Sequence, residues 1–451
     1  MNLTDSRRVA IDTLLAIDLD GAYANLKLPE ILREARLSPR DAAFATELVY
    51  GTSRLTGRYD AIFRMITNSR SMGDLDAPIR AILRMAAHDM LALKTSPHAA
   101  VSQAVDAARE YCGPKPTGFV NGVLRTLSRR ELSEWKTDVL AERDGLAHWY
   151  SHPAWLVREL SAALAAHGED PGEIARLLVA NNNPPQVDLA VKIGDRDALI
   201  HHLPVPLEKT PYSPIGLRME RGNPGRIREV RAGKIAVQDE GSQLMALLAA
   251  RTPIDGPDEK WLDMCAGPGG KAGVLAAEAA HRGADLVANE VSPHRTELVR
   301  GALAPFPDVT IRTGDGREIG AAEPDSYDRI LLDAPCTGVG SLRRRPEARW
   351  RKRPSDVPDL TALQRDLLAS AAAALRPGGI LTYVTCSPLV AETLTQVRHA
   401  TKALGLKQLS APDLLREAIG TDIDLPEDVQ SVQLWPHRHG VDAMFGAVFT
   451  K

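Results

Sequence analysis

The chain has few cysteines and lacks long apolar runs. Only four of its 451 residues are cysteine, without a CxxC pair or the spacing of metal ligands, which argues against a disulfide framework and against a metal site. No uninterrupted apolar run approaches the roughly 18 residues of a membrane helix. Aspartates interrupt the apolar stretch near the start, which does not suit a secretory signal. We therefore expect a reduced, cytosolic protein without a membrane span.

A strong charge of either sign is also missing. The net charge of -3 argues against a globally basic protein that coats nucleic acid, so any contact with nucleic acid has to come from local patches. With 44% hydrophobic and 25% charged residues, the composition is that of an ordinary globular protein. The length favours two or three domains.

The spacing of apolar residues predicts a multi-domain protein. Residues 1–135 place apolar side chains at helical spacing throughout, which predicts an all-α first domain. Residues 136–240 are expected to form two more amphipathic helices and a small α+β connector rich in proline and glycine. From 241 to 451, short apolar strands alternate with helices, which is typical of an α/β Rossmann-like domain with a doubly wound parallel sheet. The final DAMFGAVFTK predicts one more strand.

Two of the four cysteines directly follow predicted strands of this sheet. Cys336 lies in LLDAPCTGVG and Cys386 in ILTYVTCSP. Because ligands bind at the carboxyl ends of parallel strands, we expect both thiols to face one crevice. A lone cysteine is more often a small buried hydrophobic residue, but the polar, tightly turning neighbours favour a reactive role. The spacing does not decide which thiol would attack a substrate.

The first predicted strand of the sheet runs into the glycine-rich turn DMCAGPGGK, residues 263–271, and then into a helix. Gly267, Gly269 and Gly270 allow the backbone to turn tightly and to approach a ligand. The turn has neither the Walker spacing nor GxGxxG, so a phosphate is not the natural ligand. The next strand ends in Glu290, which can accept hydrogen bonds from ribose hydroxyls. An adenosine-bearing cofactor fits this pair of features.

Two more acids, Asp315 and Asp333, follow the third and fourth strands, although a solvated turn aspartate is an equally ordinary reading for Asp315. A basic segment, RRRPEARWRKR at residues 343–353, contains seven cations and Trp350, and predicts phosphate contacts and base stacking with RNA. Charge runs are often only solvated surfaces. A weaker basic patch is formed by Arg125, Arg129 and Arg130.

These motifs together closely resemble the RsmB/Sun family of S-adenosylmethionine-dependent rRNA cytosine-5 methyltransferases. The residues that carry the resemblance are DMCAGPGGK, Glu290, GDG, DAPCTGVGSLRRRPEARW, RPGGILTYVTCS and LWPHRHGVDAMFGAVF. The helical first domain looks like a NusB-type RNA-binding domain. The chain departs from the family at Gly267, where alanine is usual and where we expect a looser loop, and at Arg345, where histidine is usual.

The resemblance implies S-adenosyl-L-methionine as the cofactor and RNA as the partner, expected to be small-subunit (16S) ribosomal RNA. It implies that the cofactor is bound by Cys265, Ala266, Gly267, Pro268, Gly269, Gly270, Lys271, Glu290, Asp315 and Asp333. It also implies that Cys386 is the nucleophile and Cys336 the second thiol, which assists release. Asp333 could in addition contact cytosine N3 or the amino group. We expect a monomer.

The chemistry of cytosine agrees with a need for two thiols. Carbon 5 is too weak a nucleophile to accept a methyl group unaided, but a thiolate added at carbon 6 makes it enamine-like. The carbon 5 proton must then be removed and the thiolate expelled, which needs a second reactive group. Two other functions stay open from the residues alone: a methyltransferase acting on DNA, protein or a small molecule, and a noncatalytic RNA-binding or ribosome-assembly protein.

Overall fold

The computed structural model describes residues 3–68, 71–203, 205–220 and 222–451. Contacts between Cα atoms divide them into two compact units. The first unit contains the residues up to Arg158 together with Ile174–Asn183 and Leu342–Lys352. The second contains Glu159–Glu173, Pro184–Ser341 and Arg353–Lys451.

The first unit is all-helical, as the sequence predicted. Two of its long helices begin with a serine whose side chain accepts a backbone N–H, Ser38 and Ser96, followed by a proline at the first helical position. Their apolar faces form one core around Leu48, Phe63 and Ile82. The α-helices span Asp5–Leu19, Ala24–Ala35, Pro39–Ile66, Ala77–Leu91, Pro97–Cys112, Thr117–Leu127, Leu132–Ala141, Gly145–Trp149, Ile174–Ala180 and Ala348–Arg351, and Ala154–Ala166 begins here and ends in the second unit.

The second unit contains the predicted small α+β segment. Its strands are β1 (Val187–Val191), β2 (Leu207–Lys209), β3 (Gly216–Met219) and β4 (Ile235–Val237), in the order β2-β3-β1-β4 with antiparallel neighbours. Two short helices, Arg196–His202 and Arg228–Arg231, accompany this sheet. The apolar side chains form a core of their own around Leu189, Leu217 and Ile235.

The rest of the second unit is built on a large mixed sheet. Its strands are β5 (Lys260–Asp263), β6 (Asp285–Glu290), β7 (Thr310–Thr313), β8 (Tyr327–Asp333), β9 (Leu375–Thr385), β10 (Lys407–Leu409), β11 (Val432–Gln433) and β12 (Phe445–Thr450). The order is β10-β12-β9-β8-β5-β6-β7, and β11 pairs with β12. The helices span Glu240–Arg251, Gly270–Arg282, Pro293–Leu303, Gly316–Ala322, Asp356–Ala374, Leu394–Lys402, Ala411–Ile419 and Pro436–His439.

The strand directions place the crevice. Strands β5 to β9 are parallel to one another, as predicted, whereas β12 pairs antiparallel with β9, β10 and β11, with Phe445 opposite Thr385. The expectation of a parallel sheet is therefore right for β5–β9 only, and antiparallel edges of this kind are common in doubly wound sheets. The chain winds outward from β5 to β7 and then returns to β8, next to β5. This reversal opens a crevice beyond the carboxyl ends of β5 and β8.

Successive side chains of the central strands alternate between two apolar cores. Trp261 and Leu331 belong to the core on one face of the sheet, and Leu262 and Ile330 to the core on the other. Covering both faces explains why these strands read as continuous apolar runs. Within the part of the chain that the structure describes, no helix has both the length and the apolar character needed to cross a membrane.

Candidate active site

The structure brings the two predicted thiols together. Cys386 directly follows β9, and Cys336 lies three residues beyond the end of β8. Their Sγ atoms are 3.4 Å apart, which is hydrogen-bonding distance for thiols and well beyond the roughly 2.05 Å of a disulfide bond. All four cysteines of the chain are described, and all are free. The pair can therefore share one proton and one negative charge.

Backbone hydrogen bonds connect the two cysteine loops. The Gly340 N–H donates to the Cys386 carbonyl at 2.9 Å, and the Ala443 N–H donates to the Gly340 carbonyl at 2.9 Å. A Cβ atom at position 340 would lie 2.1 Å from the Ala443 oxygen and 2.7 Å from the Cys386 oxygen. Only glycine permits this approach, so Gly340 helps to fix the distance between the loops.

An ion pair lies beside the thiols. Lys271 Nζ donates to Asp333 Oδ2 at 2.9 Å, and the Lys271 side chain is only 10% exposed. Burial disfavours the ammonium, but the attraction of Asp333 outweighs it and raises the pKa of Lys271. Lys271 is therefore a cation across the neutral pH range, next to the crevice.

The two thiols have different surroundings. The hydrogen bond from Cys336 lowers the pKa of Cys386, against the effect of burial, and the positive charge of Lys271 adds to the lowering. The same hydrogen bond, then burial, and then the negative charges of Cys386 and Glu392 raise the pKa of Cys336. The arrangement therefore favours a thiolate on Cys386 and a proton on Cys336.

The glycine-rich turn contacts the side chain of Glu290. Gly267 N–H donates to Glu290 Oε2 at 3.0 Å, and Arg295 Nη1 lies 3.6 Å from the same oxygen. A Cβ atom at position 267 would lie 2.2 Å from Glu290 Oε2 and 2.8 Å from Arg295 Nε. Glu290 and Arg295 fill the space that a methyl group at this position would take, so glycine leaves no void there, and a looser loop than with alanine stays a prediction.

The remaining residues of the turn shape the start of the following helix. Gly269, with φ of +109°, is the N-cap of Gly270–Arg282, and its N–H donates to the Ala266 carbonyl at 2.7 Å. The space at Gly269 is limited, because a Cβ atom would lie 2.5 Å from that of Ala302. Pro268 follows a cis peptide bond. Burial, and then the charge of Asp263, raise the pKa of Cys265, which leaves this third thiol of the domain protonated.

Acidic residues lie at or just after the carboxyl ends of strands β5, β6 and β7. Asp263 ends β5 and Glu290 ends β6, while Asp315 follows β7 as the N-cap of Gly316–Ala322 and is paired with Arg317. Burial, with Asp333 second, raises the pKa of Asp263 to about 8, and its Oδ1 has no hydrogen-bond partner among the described residues.

This set of groups fits S-adenosylmethionine. The helix that begins at Gly270 presents its first backbone N–H groups at the turn, the acids at the strand ends suit ribose hydroxyls and a cationic sulfonium, and the Asp263 carboxyl has an oxygen without a hydrogen-bond partner among the described residues. No group of three or more histidine, cysteine or acidic side chains in the described ranges is placed to hold a metal ion.

Sequence reasoning assigned no role to Glu392 and Gln364, which the structure places behind the Cys336 loop. Glu392 is fully buried and accepts hydrogen bonds from Thr337 N at 2.7 Å and Thr337 Oγ1 at 2.6 Å. Gln364 Nε2 donates to the Pro335 carbonyl at 2.8 Å. The sequence did contain one indication for Glu392, since it is an acid in the otherwise largely apolar segment PLVAETL, soon after Cys386. The sequence around Gln364 contains no such indication.

The basic segment 343–353 is not a fully solvated charge run. In the first unit, Arg349 is fully buried and donates to the Ser151 carbonyl at 2.9 Å and to Asn182 Oδ1 at 2.6 Å, and burial lowers the pKa of Arg349 to about 9. Arg351 donates to backbone carbonyls, including that of Gly21 at 2.8 Å. Trp350 keeps 41% of its surface exposed. Of the seven predicted phosphate-binding cations, Arg349 and Arg351 therefore bind oxygens of the protein itself, and Arg343 is buried as well.

Comparison with known proteins gives the family. Residues 253–450 match the family model described as 16S rRNA methyltransferase RsmB/F, and residues 4–129 match the NusB family model. A Mycobacterium tuberculosis protein named as a methyltransferase is 41% identical over 454 residues, which cover 100% of this chain and 97% of that protein. The ribosomal RNA small subunit methyltransferase B of Erwinia tasmaniensis is 30% identical over 459 residues, covering 100% of this chain and 99% of the relative.

The fold is shared over the whole length with a solved structure. The crystal structure of PH0851 aligns over 100% of both chains with a TM-score of 0.79 and 22% identity, a likeness that concerns the fold alone. The chain thus belongs to the RsmB/F family of 16S rRNA methyltransferases, with a NusB-family helical domain followed by a methyltransferase domain.

Proposed function

We propose that the enzyme transfers a methyl group from S-adenosylmethionine to carbon 5 of a cytosine in small-subunit rRNA, through a covalent bond between Cys386 and carbon 6. The observation that carries this proposal is the pair of thiols 3.4 Å apart at the ends of two neighbouring strands. The family is one of 16S rRNA methyltransferases, which supports the choice of RNA.

Cys386 suits the attack on carbon 6. Its pKa is lowered by the hydrogen bond from Cys336 and by the charge of Lys271, so the thiolate is accessible at lower pH than for an isolated buried thiol. Addition of this thiolate gives carbon 5 the electron density to accept a methyl group. S-adenosylmethionine, when bound, supplies that methyl group in electrophilic form.

Release of the methylated cytosine requires that the bond between Cys386 and carbon 6 breaks again. The carbon 5 proton passes to a base, the electron pair of the C–H bond forms the carbon 5–carbon 6 double bond, and the Cys386 sulfur leaves with the electron pair of the C–S bond. We assign Cys336 to this step, because its S–H can donate to the leaving thiolate at 3.4 Å. Asp333, held by Lys271, is assigned to accept hydrogen bonds from the cytosine amino group, or from N3 once N3 is protonated.

The cofactor residues are proposed to be Cys265 to Lys271 with Glu290, Asp315 and Asp333. For the domains, we assign residues 1–135 to RNA binding, 136–240 to a linker with the small sheet, and 241–451 to catalysis. The proposed setting is the cytosol, because two free thiols at 3.4 Å would oxidise to a disulfide in an oxidising compartment. We propose that the enzyme acts as a monomer.

Serine variants of the cysteines test the proposal. Each variant is incubated with small-subunit rRNA and S-adenosylmethionine, and RNA bound covalently to protein is measured on a denaturing gel. We expect Cys336→Ser to accumulate an adduct and Cys386→Ser to form none. Cys112→Ser, a free thiol in the helical unit, should behave like the wild type. The reverse pattern would exchange the two roles, and absence of any adduct with Cys336→Ser would contradict the covalent mechanism.

A further inference from the structure

One buried carboxylate holds the loop that carries Cys336. Both oxygens of Glu392 accept hydrogen bonds from Thr337, the residue after Cys336: Oε1 from the backbone N–H at 2.7 Å and Oε2 from the hydroxyl at 2.6 Å. Glu392 has no exposed surface. A two-point hydrogen bond to a charged group is among the stronger and more directional contacts in proteins.

A second tether acts on the other side of the thiol. Gln364 Nε2 donates to the Pro335 carbonyl at 2.8 Å and reaches Glu392 Oε1 at 3.4 Å. Glu392 is itself fixed, because Tyr383 Oη donates to its backbone carbonyl at 2.8 Å. The residues before and after Cys336 are thus both tied to one group.

We propose that Glu392 is a positioning residue for the release step. By holding Thr337, Glu392 keeps the Cys336 sulfur at hydrogen-bonding distance from the Cys386 sulfur. The inference rests on the proposed covalent function. It adds a residue that touches neither cytosine nor cofactor and acts through Cys336 alone.

The charge of Glu392 also favours this role. Cys386 raises the pKa of the Cys336 thiol most, through its hydrogen bond, and burial and the charges of Cys386, Glu392 and Asp333 raise it further; Tyr383 is a titratable neighbour that interacts with the charge of Cys336. Lys271 lowers the pKa of Cys386. A carboxylate behind Cys336 therefore keeps the proton on this sulfur, where it can donate to the departing thiolate.

Glu392→Gln preserves the shape of the side chain but removes the charge. The amide oxygen can still accept from the Thr337 N–H, whereas the amide NH2 cannot accept from the Thr337 hydroxyl. The hydroxyl can bond this amide only by turning to accept from its NH2, so a charge-assisted bond is replaced by a weaker neutral one and the negative charge behind Cys336 is lost. Because a displacement of about 1 Å can cost on the order of 100-fold in rate, we expect release to slow by about 10- to 100-fold, while formation of the adduct and the first methyl transfer persist.

The experiment compares single-turnover methyl transfer with the lifetime of the covalent adduct, using full-length protein, small-subunit rRNA and labelled S-adenosylmethionine. Glu392→Gln and Thr337→Val are expected to accumulate methylated adduct, as Cys336→Ser does. Thr337→Ser, which restores the hydroxyl, should turn over like the wild type. Glu417→Gln, an exposed glutamate of Ala411–Ile419, is the matched control and should leave no adduct.

The outcomes separate the inference from the proposed function. Normal turnover of Glu392→Gln and Thr337→Val, alongside adduct with Cys336→Ser, would overturn the inference alone. Loss of adduct formation in both variants, with cofactor binding intact, would also overturn it, since that pattern indicates a general structural role. No adduct with Cys336→Ser would overturn the proposed function, and the inference with it. Thr337→Val keeps the test valid if Glu392→Gln does not fold.

Discussion

Replacing Asp263 with asparagine is expected to stabilise the protein increasingly as the pH rises. Asp263 is 1% exposed at the end of β5, and its Oδ1 lacks a hydrogen-bond partner within the described residues. Burial, followed by the negative charge of Asp333, raises its pKa from 3.8 to about 8. The native state therefore holds a proton that the unfolded chain releases at neutral pH.

The size of the effect follows from proton linkage. Below pH 3.8 the carboxyl is protonated in both states and contributes nothing. Between pH 3.8 and about 8 only the unfolded state ionises, so the free energy of unfolding falls as the pH rises, and above about 8 the loss levels off. At about 1.4 kcal/mol per unit, the penalty is about 4 kcal/mol at pH 7 and about 6 kcal/mol at high pH. Asparagine carries no charge in either state.

Urea unfolding of Asp263→Asn and wild type at pH 5, 7 and 9 measures this difference. The variant should gain about 4 kcal/mol relative to the wild type between pH 5 and pH 9. Asp285→Asn, an exposed position at the start of β6, should show no such trend. A stability difference for Asp263→Asn that does not change with pH would refute the reasoning, because the native carboxyl would then ionise like an exposed one.

Three further substitutions test the crevice. Glu290→Gln, which removes the acid under the glycine-rich turn, should raise the KM for S-adenosylmethionine about tenfold in initial-rate assays, and the exposed Glu297→Gln should leave it unchanged. Gly340→Ala should cost about 3 kcal/mol in urea unfolding through its backbone clash, whereas Gly301→Ala, whose Cβ meets nothing within 4 Å, should gain up to about 1 kcal/mol. Lys271→Met should raise the pH midpoint of adduct formation, since a cation stabilising the thiolate is lost; an unchanged or lower midpoint contradicts that role.

The local features of the site could be predicted from the sequence. Cys336, Cys386 and Glu290 each follow a short apolar run, and the rule that parallel strands end at one edge was enough to place them near one crevice. The all-α first domain and the strands β5–β9 were also predictable, since hydrophobic periodicity is a local property.

Contacts between distant residues were not predictable in the same way. Nothing in the sequence around Thr337 indicates that Glu392, 55 positions away, binds it. The burial of Arg349 depends on Ser151 and Asn182, which are 198 and 167 positions away. The antiparallel direction of β12 likewise depends on its pairing with β9, because a strand pattern alone carries no direction.

The most direct test of the account is to map the methyl group on the RNA. Unmodified small-subunit rRNA is incubated with the protein and S-adenosylmethionine and then sequenced after bisulfite treatment, with Cys386→Ser as the control. We expect a cytosine to become resistant to bisulfite with the wild type and not with the variant. Methyl transfer to the RNA that leaves every cytosine sensitive, or that persists in Cys386→Ser, would contradict it.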